Sequence, residues 1–463
     1  MDLNLIRKIV DQVPEYDSFL TVDELDESTW QLANEYPDVV EVFEAGRSRK
    51  GHPILCSKIG DGEKNALCFA LPHPNEPIGA MMIEYLSRAL AENEGFRKAT
   101  GYTWYFMKCV DPDGTRLNEK WFKGPFNVYN YTKNFFRPGS IEQVEWTFPI
   151  EYKNLKFNDP MPETEAIMKV IRETKPEFLY SLHNAGFGGA YWYITHEFED
   201  IYDELREAAL RQGVSLHLGE PESPAVEEFS PSIYRMLGIE EEYDYLERFT
   251  DVNPAEHIDC GTSSNGYASQ YNDCVTILTE LPYFFDKKIE DLSESDMTRR
   301  EAILKNIEFS VKHYTAMDQL LEQIRPYLTK GNPFPLLVEQ MIENSQSSAQ
   351  AKKKWSEQEE FARKATVSEV FDNLVVARFY NGLSIGLVMR TAEFEMEKLK
   401  EQGDYDKEVM EKLANVQKEA SRRLKENSDW LEENMDYEVI PIQKLVKIQV
   451  ECGLIVANRK LKG

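Results

Sequence analysis

The sequence predicts an α/β fold for residues 1–290, a mixed, mostly parallel sheet flanked by helices, followed by a mainly α-helical domain over 291–463. Three observations predict it. Up to about residue 290, apolar runs of strand length alternate with stretches of helical spacing. Several of those runs stop on a polar residue able to bind a metal or move a proton. Beyond residue 290, long Glu- and Lys-rich helical stretches take over and β-branched runs become few.

The first informative run is Ala66-Leu67-Cys68-Phe69-Ala70-Leu71. His73-Pro74-Asn75-Glu76 follows, and then Ile78, Met81, Met82, Tyr85, Leu86 and Leu90 at helical spacing. An imidazole and a carboxylate three residues apart at a strand-to-helix corner can converge on one point. Taken alone, such a pair is most often two unrelated surface residues, so the later runs matter. Tyr102 to Met107 leads to Asp111-Pro112-Asp113-Gly114, Glu177 to Leu182 ends at His183, and Cys274 to Thr279 ends at Glu280. In an open α/β sheet, ligands sit beyond the carboxyl ends of the strands. His73, Glu76, His183 and Glu280 are therefore expected to face one crevice. Two His and one Glu make a three-ligand zinc site with an open fourth position, and the other Glu is free to act as a general base. One polar residue at a strand end is ordinary; four with these identities are not.

Neighbouring motifs extend the pattern. The segments Leu20 to Leu25, Tyr36 to Val40 and Ala45 to Ile54, the last containing Gly46-Arg47-Ser48-Arg49-Lys50-Gly51, come ahead of these runs. Pro162-Glu163-Thr164-Glu165-Ala166 opens a helix ahead of His183, and Gly261-Thr262-Ser263-Ser264 precedes the Glu280 strand. With these motifs in order, about residues 15–290 resemble the zinc metallocarboxypeptidases of the carboxypeptidase A type. No comparable resemblance extends over residues 290–463.

The resemblance implies one zinc ion per chain, held by His73, Glu76 and His183, with Glu280 as general base and later proton donor. It implies that Arg116, or else Lys123, polarises the scissile carbonyl. It implies that Asn134 and Arg137 grip the substrate's terminal carboxylate, although Phe135 and Phe136 here separate residues that are adjacent in the family. His257 stands near the family's substrate-covering Tyr, with Tyr267 and Tyr271 as alternatives. The implied activity is hydrolysis of a C-terminal peptide or amide bond, and the implied partner is a peptide or peptide-like small molecule with a free C-terminal carboxylate. A zinc acylase of N-acyl amino acids is the second expectation, because His73-Pro74-Asn75-Glu76 is also similar to the His-Gly-Asn-Glu of aspartoacylase and succinylglutamate desuccinylase. A non-catalytic binding protein is the third, and the intact set of four residues stands against it.

Composition sets bounds. A chain of 463 residues with 42% hydrophobic residues has room for two or three domains with sizeable cores. The net charge of −28, spread along the chain, argues against nucleic acid and anionic membrane as partners. The six cysteines form no Cys-x-x-Cys pair and read as buried thiols. No apolar run approaches the ~20 residues of a membrane span, and no basic-then-apolar leader opens the chain, so the expected address is cytoplasmic. His52, His196, His217 and His313 lack metal spacing and are expected to be structural or surface residues.

Residues 115–160 are turn-rich and aromatic, and are expected to contribute in part to a pocket. Residues 197–250 are acidic and helical with a break at 220–224, expected as an insertion over the crevice. In the helical domain, Asn344 to Ser348 reads as a polar linker and Gly382 to Met389 as an apolar stretch too short for a membrane. Residues 406–434 read as an amphipathic helix, and Ile440 to Leu461 as a further apolar run. The domain is expected to cover the catalytic part. Its length and apolar content also allow a homo-oligomer formed through it.

Overall fold

The computed structural model describes residues 1–223, 225–403 and 406–463; Pro224, the last residue of the expected break, lies outside them. Among the described residues nine strands form one sheet. They are β1 (Val40–Arg47), β2 (Pro53–Ile59), β3 (Lys64–Ala70), β4 (Tyr102–Met107), β5 (Phe178–Leu182), β6 (Tyr191–Ile194), β7 (Glu228–Ser230), β8 (Ile233–Arg235) and β9 (Val275–Glu280). Their spatial order is β1-β2-β4-β3-β5-β9-β6-β8-β7. Pairs β3–β4, β3–β5, β5–β9 and β6–β8 are parallel. Pairs β1–β2, β2–β4, β6–β9 and β7–β8 are antiparallel. The sheet is thus mixed in equal parts rather than mostly parallel, with three of the four parallel pairs together at its centre. There β3 and β5 are buried on both faces, which is why their sequences read as unbroken apolar runs instead of alternating ones.

The main helices are α1 (Leu3–Val10), α2 (Val22–Glu35), α3 (Ile78–Glu92), α4 (Pro162–Thr174), α5 (Tyr202–Leu210), α6 (Arg299–Leu321), α7 (Pro335–Ser356), α8 (Ala377–Gln402), α9 (Lys407–Asn434) and α10 (Ile442–Lys462). A capping box starts α2: the Thr21 hydroxyl accepts from the Glu24 amide while the Glu24 carboxylate accepts from the Thr21 amide. Helix α3 carries its apolar spacing onto the sheet and fully buries Ile78, Met82, Ile83 and Leu90. Each such side chain contributes about 1.5–3 kcal/mol. That anchoring fixes the corner in front of α3, where the metal-ligand candidates sit.

The helices after residue 290 pack against the sheet and its helices. A single apolar core runs from Ile6 to Ala457. Helix α10 lies in the helical layer against the sheet, beside α1, α3 and α5. The Tyr102 hydroxyl donates to the Ala457 carbonyl at 3.0 Å and the Tyr180 hydroxyl to the Gln449 carbonyl at 3.2 Å. Gly453 faces Tyr180 so closely that a Cβ there would lie 2.5 Å from the ring. The apolar content that suggested an oligomer is therefore buried inside the fold. Residues 344–348 lie within α7 rather than in a linker; their Ser and Asn side chains sit on its surface, and the Ser345 and Ser347 hydroxyls donate back to carbonyls three residues earlier.

Candidate active site

Strands β3, β5 and β9 run side by side and parallel, so their carboxyl ends share one edge of the sheet. His73 and Glu76 follow β3, His183 follows Leu182 directly, and Glu280 is the last residue of β9. Leu71, at the exit of β3, takes a left-handed conformation with φ of 59°. A bulky side chain seldom accepts that backbone, and here it turns the chain sharply toward His73, as strained residues at functional sites commonly do. The amide of Glu76 closes the corner by donating to the His73 carbonyl at 3.0 Å.

Three ligating atoms meet at this edge. His73 Nδ1 lies 3.2 Å from Glu76 Oε2, His183 Nδ1 lies 3.1 Å from the same oxygen, and the two Nδ1 atoms are 3.1 Å apart. Metal–ligand bonds of ~2.05 Å at tetrahedral angles put neighbouring donors about 3.3 Å apart, so this triangle fits a zinc ion. The protonation states agree. Burial, then the Arg137 cation, holds His73 down to about 3, so the imidazole is neutral. Burial alone would raise Glu76, but His73, His183 and Arg137 hold it below the usual carboxylate range, so it is ionised. Neutral imidazole and carboxylate are the forms that bind a metal.

A hydrogen-bonded chain behind His183 sets its tautomer. The Ser181 hydroxyl donates to Glu145 Oε2 at 3.0 Å and lies 2.9 Å from His183 Nε2. With the serine proton committed to Glu145, Nε2 carries the histidine proton and Nδ1 keeps its lone pair for the triangle. Glu145 is buried and also accepts from the Ser264 amide at 2.9 Å and hydroxyl at 2.7 Å. From the other side, Gln449 of α10 donates its side-chain amide to the His183 carbonyl at 2.9 Å.

Glu280 lines the same cavity, of about 710 Å³, as His73, Glu76 and Arg137. It is 8% exposed, and among the described residues its carboxylate makes no hydrogen bond. Burial, reinforced by Glu76 and Glu222, pushes it well above the ordinary carboxylate range. Arg137 reaches the triangle directly. Its Nη1 donates to Glu76 Oε1 at 3.2 Å, and its Nη2 lies 2.9 and 2.8 Å from the two ring nitrogens of His73.

The other expected residues are not brought here. Arg116 follows the short helix Pro112–Thr115, which the Asp111 side chain caps at the Gly114 amide, and that turn sends it outward. It forms an exposed two-pronged pair with Asp23 of α2, and Lys123 likewise pairs with Glu24 at 2.7 Å. Asn134 ends the helix Val128–Asn134 and turns its amide back onto Asn130, at 3.0 Å to the carbonyl and 2.9 Å to the side chain. His257 lies 3.3 Å from the Ser347 hydroxyl of α7, outside the cavity lining. Tyr267 packs in a separate apolar cluster and hydrogen-bonds Tyr271 and Arg172. The Asp-Pro-Asp-Gly turn is structural: Asp113 Oδ2 accepts from the Lys50 amide at 2.9 Å and ties down the hairpin.

Sequence reasoning missed four contributors, namely Glu145, Gln449, His217 and Tyr380. The buried His217 lies in the cavity wall, where its Nε2 is 2.9 Å from the Glu220 carbonyl. Tyr380, from α8, donates to the Phe187 carbonyl at 3.0 Å and accepts from the Gly186 and Phe187 amides at 3.2 Å. Glu145, Gln449 and Tyr380 have no local signal, because each depends on a partner far away in the chain.

The arrangement is a buried His–Glu–His triangle that could hold a metal ion, with a carboxylate and a guanidinium beside it. Residues 26–216 match the family model for zinc carboxypeptidases. Among solved structures, the chain is similar to carboxypeptidase A from Helicoverpa armigera, at 15% identity and a TM-score of 0.40, covering 61% of this chain and 71% of that one. It is also similar to a putative metallopeptidase from Shewanella denitrificans, at 12% identity and a TM-score of 0.37, covering 56% and 81%. A metallo-carboxypeptidase from Burkholderia cenocepacia matches at 15% identity and a TM-score of 0.32, covering 57% and 60%. No described helix is long and apolar enough to cross a membrane.

Proposed function

We propose that this protein is a zinc-dependent metallocarboxypeptidase that hydrolyses the C-terminal peptide or amide bond of a peptide-like substrate. The observation that carries the reading is the His73–Glu76–His183 triangle, with donors 3.1–3.2 Å apart, two of whose members, His73 and Glu76, line one cavity with Glu280, a carboxylate without a hydrogen bond among the described residues. Zinc bound there supplies a water acidified toward pH ~7 and a Lewis-acid partner for the carbonyl.

The residues divide the remaining work. Glu280 takes a proton from the attacking water onto its carboxylate and later delivers it to the leaving amine. Its raised affinity for protons suits a group that must both accept and donate near neutral pH. Arg137, with two nitrogens at the triangle, donates to the oxygen that gains negative charge. This is the role the sequence suggested for Arg116. The Ser181–Glu145 chain keeps His183 in its ligating tautomer.

A second reading, a zinc acylase of N-acyl amino acids, is favoured by one observation. Asn134 is turned into its own helix, so no two-residue clamp for a terminal carboxylate is assembled beside Arg137. The two readings separate by mass spectrometry of a peptide library, free and C-terminally amidated, incubated with the zinc-loaded protein. Loss of single C-terminal residues from the free peptides is expected. Inert peptides together with release of simple acids from N-acyl amino acids would replace the first reading by the second.

A further inference from the structure

We infer that the helices beyond residue 290 form a fixed roof over this cavity, restricting the enzyme to short peptides whose amino-terminal end lies between α6 and α7. The inference rests on the hydrolase reading above and adds the class of substrate.

The cavity is built by both halves of the chain. Asn306 and Tyr314 of α6, Leu337 and Met341 of α7, and Tyr380 and Leu383 of α8 line it opposite the metal-ligand triangle. Its volume of about 710 Å³ lies within the ~300–1,000 Å³ range of sites that enclose a small ligand. A second cavity, of about 430 Å³, continues between α6 and α7. The two share Ser140, Tyr314, Leu337 and Met341, so an extended chain leaving the reaction centre has one walled path.

The roof is pinned at points spread over its length, mostly by buried groups. Arg390 of α8 is 7% exposed and donates to the carbonyls of Asn134 at 2.7 Å, Phe135 at 2.9 Å and Leu117 at 2.8 Å. Gly386 lies so close to the helix Val128–Asn134 that a Cβ would fall 2.1 Å from the Thr132 carbonyl oxygen. Tyr380 is bonded to the Gly186–Phe187 loop, and Phe379 stacks on Tyr131 with ring centres 5.9 Å apart. The π-helical turn Asp372–Val376 is held where Asp372 accepts from the Glu220 amide at 2.8 Å. At the far edge, Gln340 of α7 accepts from the Ser140 amide at 2.8 Å. Swinging the layer aside would break these contacts together and leave buried polar groups unpaired. The roof therefore does not act as a door for a folded protein's terminus.

The test is kcat/KM of the zinc-loaded full chain on a ladder of peptides, dipeptide to decapeptide, with a constant C-terminal pair. The expected profile peaks among the short members and falls by roughly tenfold or more toward the decapeptide, the effect of a modest misfit. Met341, at the junction of the two cavities, supplies variants away from the reaction centre. M341A should move the fall-off to longer peptides and M341W to shorter ones, with melting temperature confirming that both are folded. A flat ladder, or identical ladders in both variants, overturns the roof and leaves the carboxypeptidase reading standing. Cleavage of no member, with zinc bound, overturns the reading beneath it.

Discussion

At the scale of single residues, three side chains carry separable consequences. Glu280 is buried, unpaired and raised in proton affinity. E280Q should lower kcat by about 10²–10⁴-fold, the usual cost of removing a general base, while zinc content stays that of the wild type. An active E280Q would remove the role given to it. Arg137 touches two members of the triangle, so R137A is expected to act on kcat, by about 10²–10³-fold. A rise in KM alone, seen with free but not with amidated peptides, would instead make it a carboxylate clamp. Glu145 orients His183 through Ser181, so E145Q should weaken zinc binding by about 10–100-fold in a chelator competition. An unchanged affinity would reduce Glu145 to a packing role. His73, Glu76, His183 and Glu280 were legible in the sequence because each lies at or just beyond the carboxyl end of a strand, and parallel neighbours must share an edge. Arg116 was misread because spacing along the chain does not say to which side a turn sends its next residue. Glu145 was invisible because its partner lies 36 residues away in sequence.

At the scale of elements, the sequence showed where α9 and α10 form but not what they touch. Periodicity reports that a helix has an apolar face, and carries no information on which surface receives it. The partners of α10 are α1, α3, α5 and the sheet, whose last strand ends more than 150 residues earlier. The same limit explains why 344–348 was read as a linker: a polar run within a long helix looks like a loop when its apolar neighbours are too few. Helix α10 supplies the sharpest test. Truncation before Ile442 would uncover Tyr102 and Tyr180 and take away the Gln449 contact with the His183 carbonyl. The shortened chain should lose both cooperative melting and tight zinc binding. If it melted and bound zinc as the full chain does, α10 would be an appendage and residues 291–463 a domain of their own.

At the scale of the whole molecule, one core joins residues from Ile6 to Ala457 and one cavity is walled by both halves of the chain. The family match stops at residue 216, before Glu280 and before every helix of the roof. The matched segment holds His73, Glu76 and His183. The peptide ladder belongs to this scale, since it measures the enclosure rather than any single contact. Net charge of −28 acts here too, because it disfavours long-range attraction of acidic peptides to the entrance.

The position of α10 also orders events in time. During synthesis the ligand-bearing strands leave the ribosome first, with the apolar faces that α10 will cover still bare. His183 gains its support from Gln449 only when the last helix has emerged and docked. A chain lacking α10 would therefore keep His73, Glu76 and His183 without the Gln449 contact, and its exposed apolar surface would make it prone to aggregate.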